Sequence, residues 1–412
     1  MPKRIPQSLC LRCKGYRKLC GISRCPILDR ITTHYKLTSE IKSRNIYGST
    51  PPSVIVGEKG YPTVPVLYNV PPKVIGEEAK KFDNPSEWWG RLSLADITKL
   101  RFSMVSSIIK AKVKDPWSLY EKEISLAAIS SRPVASEAIL AKKITPRLRF
   151  DGILAPIGPS APAEKISISE NPSIPRIVEK LIWDDVKAFS AIWTLYRGSL
   201  EFYDIVRALS LGLLGLKKSR RLVPTRWAIT AVDSVISHKL LTMIKMYDQV
   251  NEFSVYTSEY LGNRFTIVLI PGEHTVEWIE AWHPLSAWAK GAKKVAYARL
   301  LENHRGMQEY MDGGYMAARH SLLEHLSEIR RKATAVIIRE IKPEYYAPVG
   351  NWHIRMTVKN ALAKGAILKT TNPKEILEII KSLHPNLDIA KKSRLLKSIL
   401  LGESLERYIE RA

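Results

Sequence analysis

The sequence predicts an α+β protein with an N-terminal four-cysteine zinc finger, a mixed α/β core and a helical C-terminal region. All four cysteines lie within the first 25 residues, β-branched runs alternate with helical patterns through the middle, and Leu and Ile recur at helical spacing after Pro373. A chain of 412 residues is long enough for about two or three domains. We predict a finger at 1–30, a core at 31–356 and a helical region at 357–412.

The charge of the chain points to a polyanionic partner. Lys and Arg number 64 against 40 Asp and Glu, a formal net charge of +24. This excess favours nucleic acid, and we predict binding to single- or double-stranded DNA with low sequence specificity. No apolar run approaches the roughly 18 residues of a membrane span, and the start MPKRIPQSLC lacks the apolar core of a secretory signal. We therefore predict a cytoplasmic protein without a membrane partner.

The cysteines have the spacing of a metal site. Cys10, Cys13, Cys20 and Cys25 form C-x2-C-x6-C-x4-C, and four thiolates at this spacing can close a tetrahedron around one Zn²⁺. A shell with no vacant position indicates a structural role. An iron–sulfur cluster or four unligated thiols are the alternatives.

The first elements of the core are predicted from local signals. Residues 45–75 are rich in Pro, Gly and β-branched residues, which predicts short strands joined by turns. Ser93 is a favourable helix N-cap with Asp96 three residues later. Apolar residues then recur at helical spacing. They are Leu94, Ile97, Leu100, Met104, Val105 and Ile108.

Periodicity also assigns the later elements. Helical patterns cover 184–198 and 230–246, and β-rich runs cover 264–270 and 333–341. A Gly-Gly pair near residue 313 opens a helix of about 16 residues, and the chain is helical again after Pro373.

A short basic segment is a candidate phosphate-binding site. It contains Lys217, Lys218, Arg220, Arg221 and Arg226, with Trp227 directly after the last cation. Such a loop can neutralise phosphates while an indole stacks on a base. Arg226 stands out because the Pro-Thr-Arg turn precedes a helix, whose N-terminus favours anions. The alternative is a solvated loop with Trp227 in the core.

Five strings in the core carry a family resemblance. They are NIYGSTPPSVIVGEKGYP (45–62), APIGPSAP (155–162), RLVPTRWAITAVD (221–233), GGYMAARHSLLEHL (313–326) and VIIREIKPEYYAPVGNWHIRM (336–356). With the four-cysteine segment, they make the chain resemble the archaeal Nre DNA-repair family over about its whole length. The resemblance implies a role in the response to DNA damage, a zinc finger and, in one branch of the family, a C-terminal peptide that docks on the sliding clamp PCNA.

The same strings suggest a composite anion site. Arg339, Trp352 and Arg355 belong to the last string and are candidates to complete the site at Arg226. We predict that Arg226, Arg339 and Arg355 converge on one concave surface with Trp227 or Trp352 nearby.

The C-terminus departs from the clamp-binding pattern. Leu405, Tyr408 and Ile409 fit the plug and the paired bulky positions, but Gly402 stands where the pattern has Gln. We therefore predict weak clamp binding. A short terminal helix that uses the same three residues to pack on the body is the alternative.

Two arrangements raise the possibility of an enzyme. Glu340 and Lys342 have the E-x-K spacing of a metal-dependent nuclease, with Asp184 or Asp185 as a further carboxylate. In PGEHT, the neighbouring Glu273 and His274 are a candidate acid–base pair, although a lone His in a turn is more often a surface residue.

Other common catalytic motifs do not occur. The sequence lacks a Walker P-loop, a Rossmann glycine fingerprint, HExxH and GxSxG. Three hypotheses follow from the sequence: a DNA-repair factor that acts by binding and recruitment, a nuclease or nucleotide phosphodiesterase, and an RNA- or ribosome-binding zinc protein. Charge does not separate the first from the third because it senses phosphate and not sugar.

Overall fold

The computed structural model describes residues 12–19, 21, 25–41, 43–144, 157–287, 289, 292–303, 305–308 and 310–400. The chain forms two compact units. The first unit is Cys25–Ile236, and the second is Met1–Arg24 together with Ser237–Ala412. Each contains a six-stranded sheet with helices, which confirms the α+β class.

The division into units differs from the three predicted regions. It falls at residue 236, inside the predicted 31–356 core, and the helical region 357–412 belongs to the second unit. In the described part of the chain, every helix is too short or too polar to cross a lipid bilayer.

The first unit has six strands and nine helices among its described residues. The strands are β1 Asn45–Thr50, β2 Val54–Val56, β3 Thr63–Val70, β4 Val105–Lys112, β5 Val134–Leu140 and β6 Ser160–Ile168. The helices are α1 Pro26–Glu40, α2 Pro85–Trp88, α3 Leu94–Phe102, α4 Trp117–Glu121, α5 Ile124–Ala128, α6 Arg176–Trp183, α7 Ala188–Arg197, α8 Phe202–Ser210 and α9 Thr225–Ile244, which continues past residue 236. Short 3₁₀ turns lie at Gly76–Phe82 and Lys217–Ser219.

The strands of the first unit follow the order β1-β5-β6-β4-β3-β2. Neighbours are antiparallel except β4 and β6, which run parallel. Strands β1 to β3 confirm the strands and turns predicted for residues 45–75. Gly158 leads into β6 against the end of α3, and a Cβ there would lie 1.6 Å from the carbonyl oxygen of Met104. Only glycine fits this approach, which explains the glycine of the string APIGPSAP.

The predicted N-cap of α3 is confirmed, but the helix is shorter than its apolar pattern. The Ser93 hydroxyl accepts from the Asp96 N–H, and the Asp96 carboxylate accepts from the Ser93 N–H, which completes a capping box. The helix ends at Phe102, and Val105 and Ile108 belong to β4 instead. Val105 is buried and Ile108 half-buried in β4, and these strand residues happen to match the helical spacing.

The second unit contains the other six strands. They are β7 Phe253–Tyr260, β8 Asn263–Ile270, β9 Thr275–Trp282, β10 Ala296–Leu301, β11 Thr334–Ile341 and β12 Leu368–Thr370. Its helices are α10 Gly313–Glu328, α11 Trp352–Ala363, α12 Pro373–Leu383, α13 Ile389–Lys392 and α14 Arg394–Leu400. These bounds confirm the predicted strands at 264–270 and 333–341, the 16-residue helix after the Gly-Gly pair and the helices after Pro373.

Strand β11 lies inside the second sheet, whose order is β10-β9-β11-β8-β7-β12. It pairs parallel with β9 and antiparallel with β8, and all eight of its residues are buried. Since side chains alternate along a strand, neighbouring residues of β11 face opposite sides of the sheet. Val336 and Ile338 pack with Ile376 and Ile380 of α12. Arg339, on the other face, contacts His353 of α11.

Candidate nucleic-acid interface

Segment 217–226 of the first unit, here called the basic loop, carries most of the predicted phosphate-binding residues. A 3₁₀ turn opens it, and helix α9 begins near its end. Four of its five cations are exposed: Lys217, Lys218, Arg221 and Arg226. The loop therefore presents positive charge to solvent, as a phosphate-binding surface requires.

Arg220, the fifth cation, is buried and serves the fold. Its guanidinium donates to the carbonyls of Gly215 at 2.9 Å, Ile182 at 2.6 Å and Asp184 at 2.8 Å, with a longer bond to Leu181 at 3.3 Å. The carbonyls of Leu181 and Ile182 belong to the last turn of α6, where the helix itself supplies no N–H group to bond them. Burial lowers the pKa of Arg220, opposed by the charges of Asp185 and Asp184. Arg220 thus caps α6 and does not face solvent.

The basic loop extends a wider basic strip through backbone hydrogen bonds. The N–H of Leu222 donates to Val113 at 2.9 Å, and the N–H of Val113 donates to Pro62 at 2.9 Å. Three segments therefore lie side by side, with Val113 and Leu222 buried. Exposed residues flank these positions in each segment: Tyr61, Lys112, Lys114 and Arg221.

Arg226 and Trp227 lie at the start of α9, and both are exposed. The Thr225 hydroxyl accepts from the Val56 N–H at 2.8 Å, which fixes the helix start against β2. The Arg226 side chain is 82 % exposed and lies 3.5 Å from a Glu58 carboxylate oxygen. Trp227 is 59 % exposed, so it does not belong to the core.

An aromatic cluster beside the basic loop was not predicted. The rings of Trp117 and Trp183 stack with centroids 5.7 Å apart at 23°. Tyr120 contacts both rings edge-on, at 5.2 Å from Trp117 and 5.9 Å from Trp183. The Arg220 guanidinium lies 5.8 Å from the Trp117 ring centroid. Trp183 is nevertheless 56 % exposed.

The sequence of helix α6 contains a signal that Trp183 lies at the surface. The buried stripe of this helix is formed by Val178, Leu181 and Ile182. Trp183 follows the stripe by one residue and so points away from it. A tryptophan outside the apolar stripe of an amphipathic helix is a candidate for a surface role.

The residues of the nuclease hypothesis fall in different units. Asp184 and Asp185 belong to the first unit, where an Asp185 carboxylate oxygen accepts from the Lys217 N–H at 2.6 Å. Glu340 and Lys342 belong to the second unit. Lys342 pairs with Glu259 at 2.7 Å.

Glu340 lies between two histidines. One oxygen is 2.8 Å from His283 Nε2 and the other is 2.8 Å from His384 Nδ1, whose Nε2 lies 2.9 Å from the Thr266 hydroxyl. Burial would raise the pKa of Glu340, but the hydrogen bonds from His384 and His283 lower it to about 2. Glu340 is therefore a carboxylate engaged with imidazoles.

Arg339 is enclosed on the opposite face of β11. It donates to Glu280 at 2.7 Å and to Asn263 at 3.0 Å, and its third nitrogen lies 3.1 Å from His353 Nε2. Its guanidinium is also 5.2 Å from the ring centroid of Trp282. Burial and the charge of Arg339 lower the pKa of His353 well below its usual value, so the imidazole is neutral and accepts from the arginine. Arg339 is occupied within the fold.

The remaining candidates of the last string are also buried. The Trp352 indole donates to the Val349 carbonyl at 2.8 Å, and Arg355 is 7 % exposed. Arg339 and Arg355 lie in the second unit and Arg226 in the first, so the convergence of the three arginines stays a prediction.

His274 is buried and is not the surface residue that its turn suggested. It is 2 % exposed and lies 3.9 Å from a Glu302 oxygen. Burial lowers its pKa to about 4. Its neighbour Glu273 pairs with Lys332 at 2.5 Å.

Two predicted sites lie partly or wholly outside the described residues. Cys10 and Cys20 are not among them, whereas Cys13 is buried and Cys25 half-buried. The segment 402–412 with Leu405, Tyr408 and Ile409 lies outside them altogether. Within the described ranges, no group of His, Cys, Asp or Glu side chains is placed to hold a metal. The zinc site and the clamp peptide stay predictions.

Comparison with protein families defines the class of this chain. The model of the N-terminal part of archaeal Nre matches residues 19–289, and that of the C-terminal part matches residues 302–408. The chain belongs to the archaeal Nre family, as its strings indicated.

Three curated relatives are similar over most of their length. DNA repair protein NreA of Archaeoglobus fulgidus is 37 % identical over 86 % of this chain and 88 % of its own. DNA repair protein NreB of the same organism is 34 % identical over 94 % of this chain and 97 % of its own. DNA repair protein NreA of Haloferax volcanii is 34 % identical over 84 % of this chain and 85 % of its own. No solved structure matches the chain.

Proposed function

We propose that this protein is a DNA-repair factor that associates with DNA through the basic loop and the strip beside it. The relatives that cover most of the chain are named DNA repair proteins. The observation that carries the proposal is the exposure of Lys217, Lys218, Arg221 and Arg226 beside Lys112 and Lys114. Exposed cations of this density can neutralise successive phosphates without reading a sequence.

The basic loop is better placed to bind phosphate than the string 336–356, whose arginines are buried. Arg339 already has Glu280 as its counterion and Arg220 donates to carbonyl oxygens. A phosphate would have to displace these partners from a buried site, which costs several kcal/mol at about 1–3 kcal/mol for each unsatisfied group. The cations of the basic loop are exposed, and the solvent-screened pair of Arg226 with Glu58 costs much less to displace.

Charge reversal tests the proposal. The variant K217E/K218E/R221E is expected to bind DNA at least about tenfold more weakly, and the slope of log affinity against log salt is expected to fall by up to about 3. Titration of a labelled duplex at about 50 and 200 mM salt measures both quantities.

A matched variant separates the loop from net charge. K142E/K143E/K165E changes the same number of exposed cations in the same unit and is expected to keep most of the affinity. Equal losses in both variants, or no binding by the wild-type protein at the lower salt, reject the basic loop as the DNA-binding surface.

We also propose that the four-cysteine segment holds one structural Zn²⁺. The donor set supports this, since four soft thiolates at C-x2-C-x6-C-x4-C spacing suit a closed tetrahedral shell. Weak docking on PCNA through Leu405, Tyr408 and Ile409 is a further proposal, supported by their spacing on one helical turn.

A further inference from the structure

We propose that Trp183 is a base-stacking platform for an unpaired nucleotide, and that Arg220 is the positioning residue that holds it. This inference rests on the proposed association with DNA and deepens it, because it assigns single-stranded DNA as the preferred ligand of the basic loop surface.

The ring of Trp183 is exposed, although the fold fixes its orientation. Trp183 is 56 % exposed, although burying an indole is one of the larger apolar gains available to a fold. One of its sides is covered by Trp117, whose ring is tilted by only 23° from it. Tyr120 borders both rings. Trp183 is therefore the outer ring of the stack, and the next planar group on it would be the base of a ligand.

The backbone on both sides of Trp183 is held by hydrogen bonds. Arg220 donates to the carbonyls of Ile182 and Asp184, which are the residues on either side of Trp183 in the chain. The same guanidinium lies over the ring of Trp117, the inner member of the stack. One buried cation thus holds both tryptophans of the stack. A platform that is fixed in advance loses little conformational entropy when a base binds.

Positive charge lies beside the Trp183 ring. The N–H of Lys217 donates to Asp185, two residues after Trp183, at 2.6 Å. The exposed side chains of Lys217 and Lys218 therefore begin next to the platform. A flat aromatic surface with adjacent cations matches a nucleotide, which offers a base to stack and a phosphate to pair. A base inside a duplex is stacked on both sides already and cannot use the platform.

The test compares Trp183→Leu with the wild-type chain on three labelled DNAs. They are a single strand of about 15 nucleotides, the same strand with abasic sites throughout, and a duplex. Trp183→Leu is expected to bind the single strand about 5- to 100-fold more weakly, the loss typical of one base–aromatic stack. Affinities for the abasic strand and the duplex should stay unchanged, which also shows that the variant is folded.

Salt distinguishes stacking from charge. The loss in Trp183→Leu should be equal at low and high salt, whereas K217E/K218E/R221E should change the salt slope. Trp183→Phe, which keeps a stacking face, should retain most of the affinity. Trp227→Leu tests the competing stacking candidate, since Trp227 is equally exposed in the same unit and follows Arg226 of the basic loop.

A double variant tests the role of Arg220. If Arg220 acts through Trp183, then Trp183→Leu/Arg220→Met binds the single strand no more weakly than Trp183→Leu alone. If the losses of single-strand affinity from Trp183→Leu and Arg220→Met add in the double variant, Arg220 has only a general stabilising role.

The failures are distinguishable. Absence of wild-type binding to every DNA rejects the proposed function itself. Two outcomes overturn only the platform. In the first, Trp183→Leu binds the single strand as tightly as the wild-type protein does. In the second, Trp183→Leu loses the same affinity for all three DNAs. A loss confined to Trp227→Leu overturns it as well and assigns stacking to α9.

Discussion

The two sheets bury polar side chains in different chemical forms. Around Asn69 in the first unit, the buried groups are neutral: Asn69 donates to the Ser53 hydroxyl at 3.0 Å and accepts from Ser106 at 2.6 Å, and Ser53 donates in turn to the half-buried Asp83 carboxylate at 2.5 Å. The Thr50 hydroxyl donates to the Asn69 carbonyl at 2.8 Å. The second unit also buries several charged groups that pair with one another. Arg319 makes two bonds of 2.7 Å to Glu302, and both residues are buried.

The second unit contains further buried charges with their own partners. Tyr315 donates to Glu302, and Arg339 pairs with Glu280. The buried Glu277 carboxylate accepts from the Ser393 hydroxyl and from the N–H groups of Arg394 and Leu395, which caps α14. Because each of these charges depends on particular partners, few substitutions are compatible with them.

This difference changes how the strings of the sequence are interpreted. The strings 313–326 and 336–356 contain Tyr315, Arg319, Arg339 and His353, whose polar groups bond within the second unit. The string 221–233 begins with exposed cations. A dense run of Arg, His and Trp therefore has two origins, an internal charge network or a ligand surface, and only burial separates them.

The largest expected effect comes from breaking one buried ion pair. Arg319→Met leaves the Glu302 carboxylate in the interior without its cation, so the second unit should lose about 3–5 kcal/mol of stability. Hydrogen exchange of amides in α10 and β10, read as opening free energies, measures the loss in that unit.

A triple variant provides the control. Arg319→Met/Glu302→Leu/Tyr315→Phe removes the charges and the hydroxyl that depends on them, so it should recover most of the lost stability. A loss below about 1 kcal/mol in the single variant would show that Glu302 has other compensation or is protonated.

The next effect is a difference in pH dependence. Burial lowers the pKa of His274 to about 4 and that of His325 below its usual value, and burial with the charge of Arg339 lowers that of His353 well below its usual value. These histidines are neutral in the folded second unit. Below about pH 6.5 each of these histidines binds a proton when the unit unfolds. The free energy of unfolding should therefore decrease as the pH is lowered, by up to about 1.4 kcal/mol per pH unit for each histidine.

The first unit should respond less. Among its described histidines, His34 has a lowered pKa, about 4, caused by burial and by the charge of Arg30. Opening free energies of the two units, measured from about pH 7 to pH 5, should therefore diverge, with the second unit losing more. His274→Gln should reduce its slope. Parallel curves for the two units would contradict the comparison.

Local signals predicted the elements better than the contacts between them. The capping box at Ser93, the Gly-Gly start of α10 and the β-branched run of β11 each act over a few residues, and all three were predicted. The pairing of Arg339 with Glu280 joins residues 59 apart, and no local pattern encodes it.

The candidate site shows the same limit. Charge and turn residues predicted the basic loop, but the burial of Arg220 depends on carbonyls 36 to 39 positions earlier in the chain. The Gly215 carbonyl, five residues earlier, also accepts from Arg220, but no sequence pattern marks that contact. The stacking of Trp117 on Trp183 likewise joins two helices that are separated by strands β5 and β6.

The smallest expected effect tests the neutral network. Asn69→Ala removes the acceptor of the Ser106 hydroxyl and the donor to Ser53, and it should cost the first unit about 1–3 kcal/mol, less than Arg319→Met costs the second. Opening free energies in β3 and β4 measure the loss. A loss as large as that in Arg319→Met would mean that charge is not what separates the two interiors.

Asn69→Asp adds a buried carboxyl to this network without changing the shape of the side chain, and the neighbouring Ser53 hydroxyl already donates to Asp83. Burial raises the pKa of such a carboxyl above its unfolded value of about 3.9. The native state then binds the proton more tightly, so the first unit should be most stable at low pH and lose stability as pH rises through the shifted pKa. This slope is opposite in sign to that of the second unit between about pH 6.5 and pH 4. If Asn69→Asp shows no pH dependence, the Ser53 and Ser106 hydroxyls solvate an anion as well as water does, and this interior tolerates charge after all.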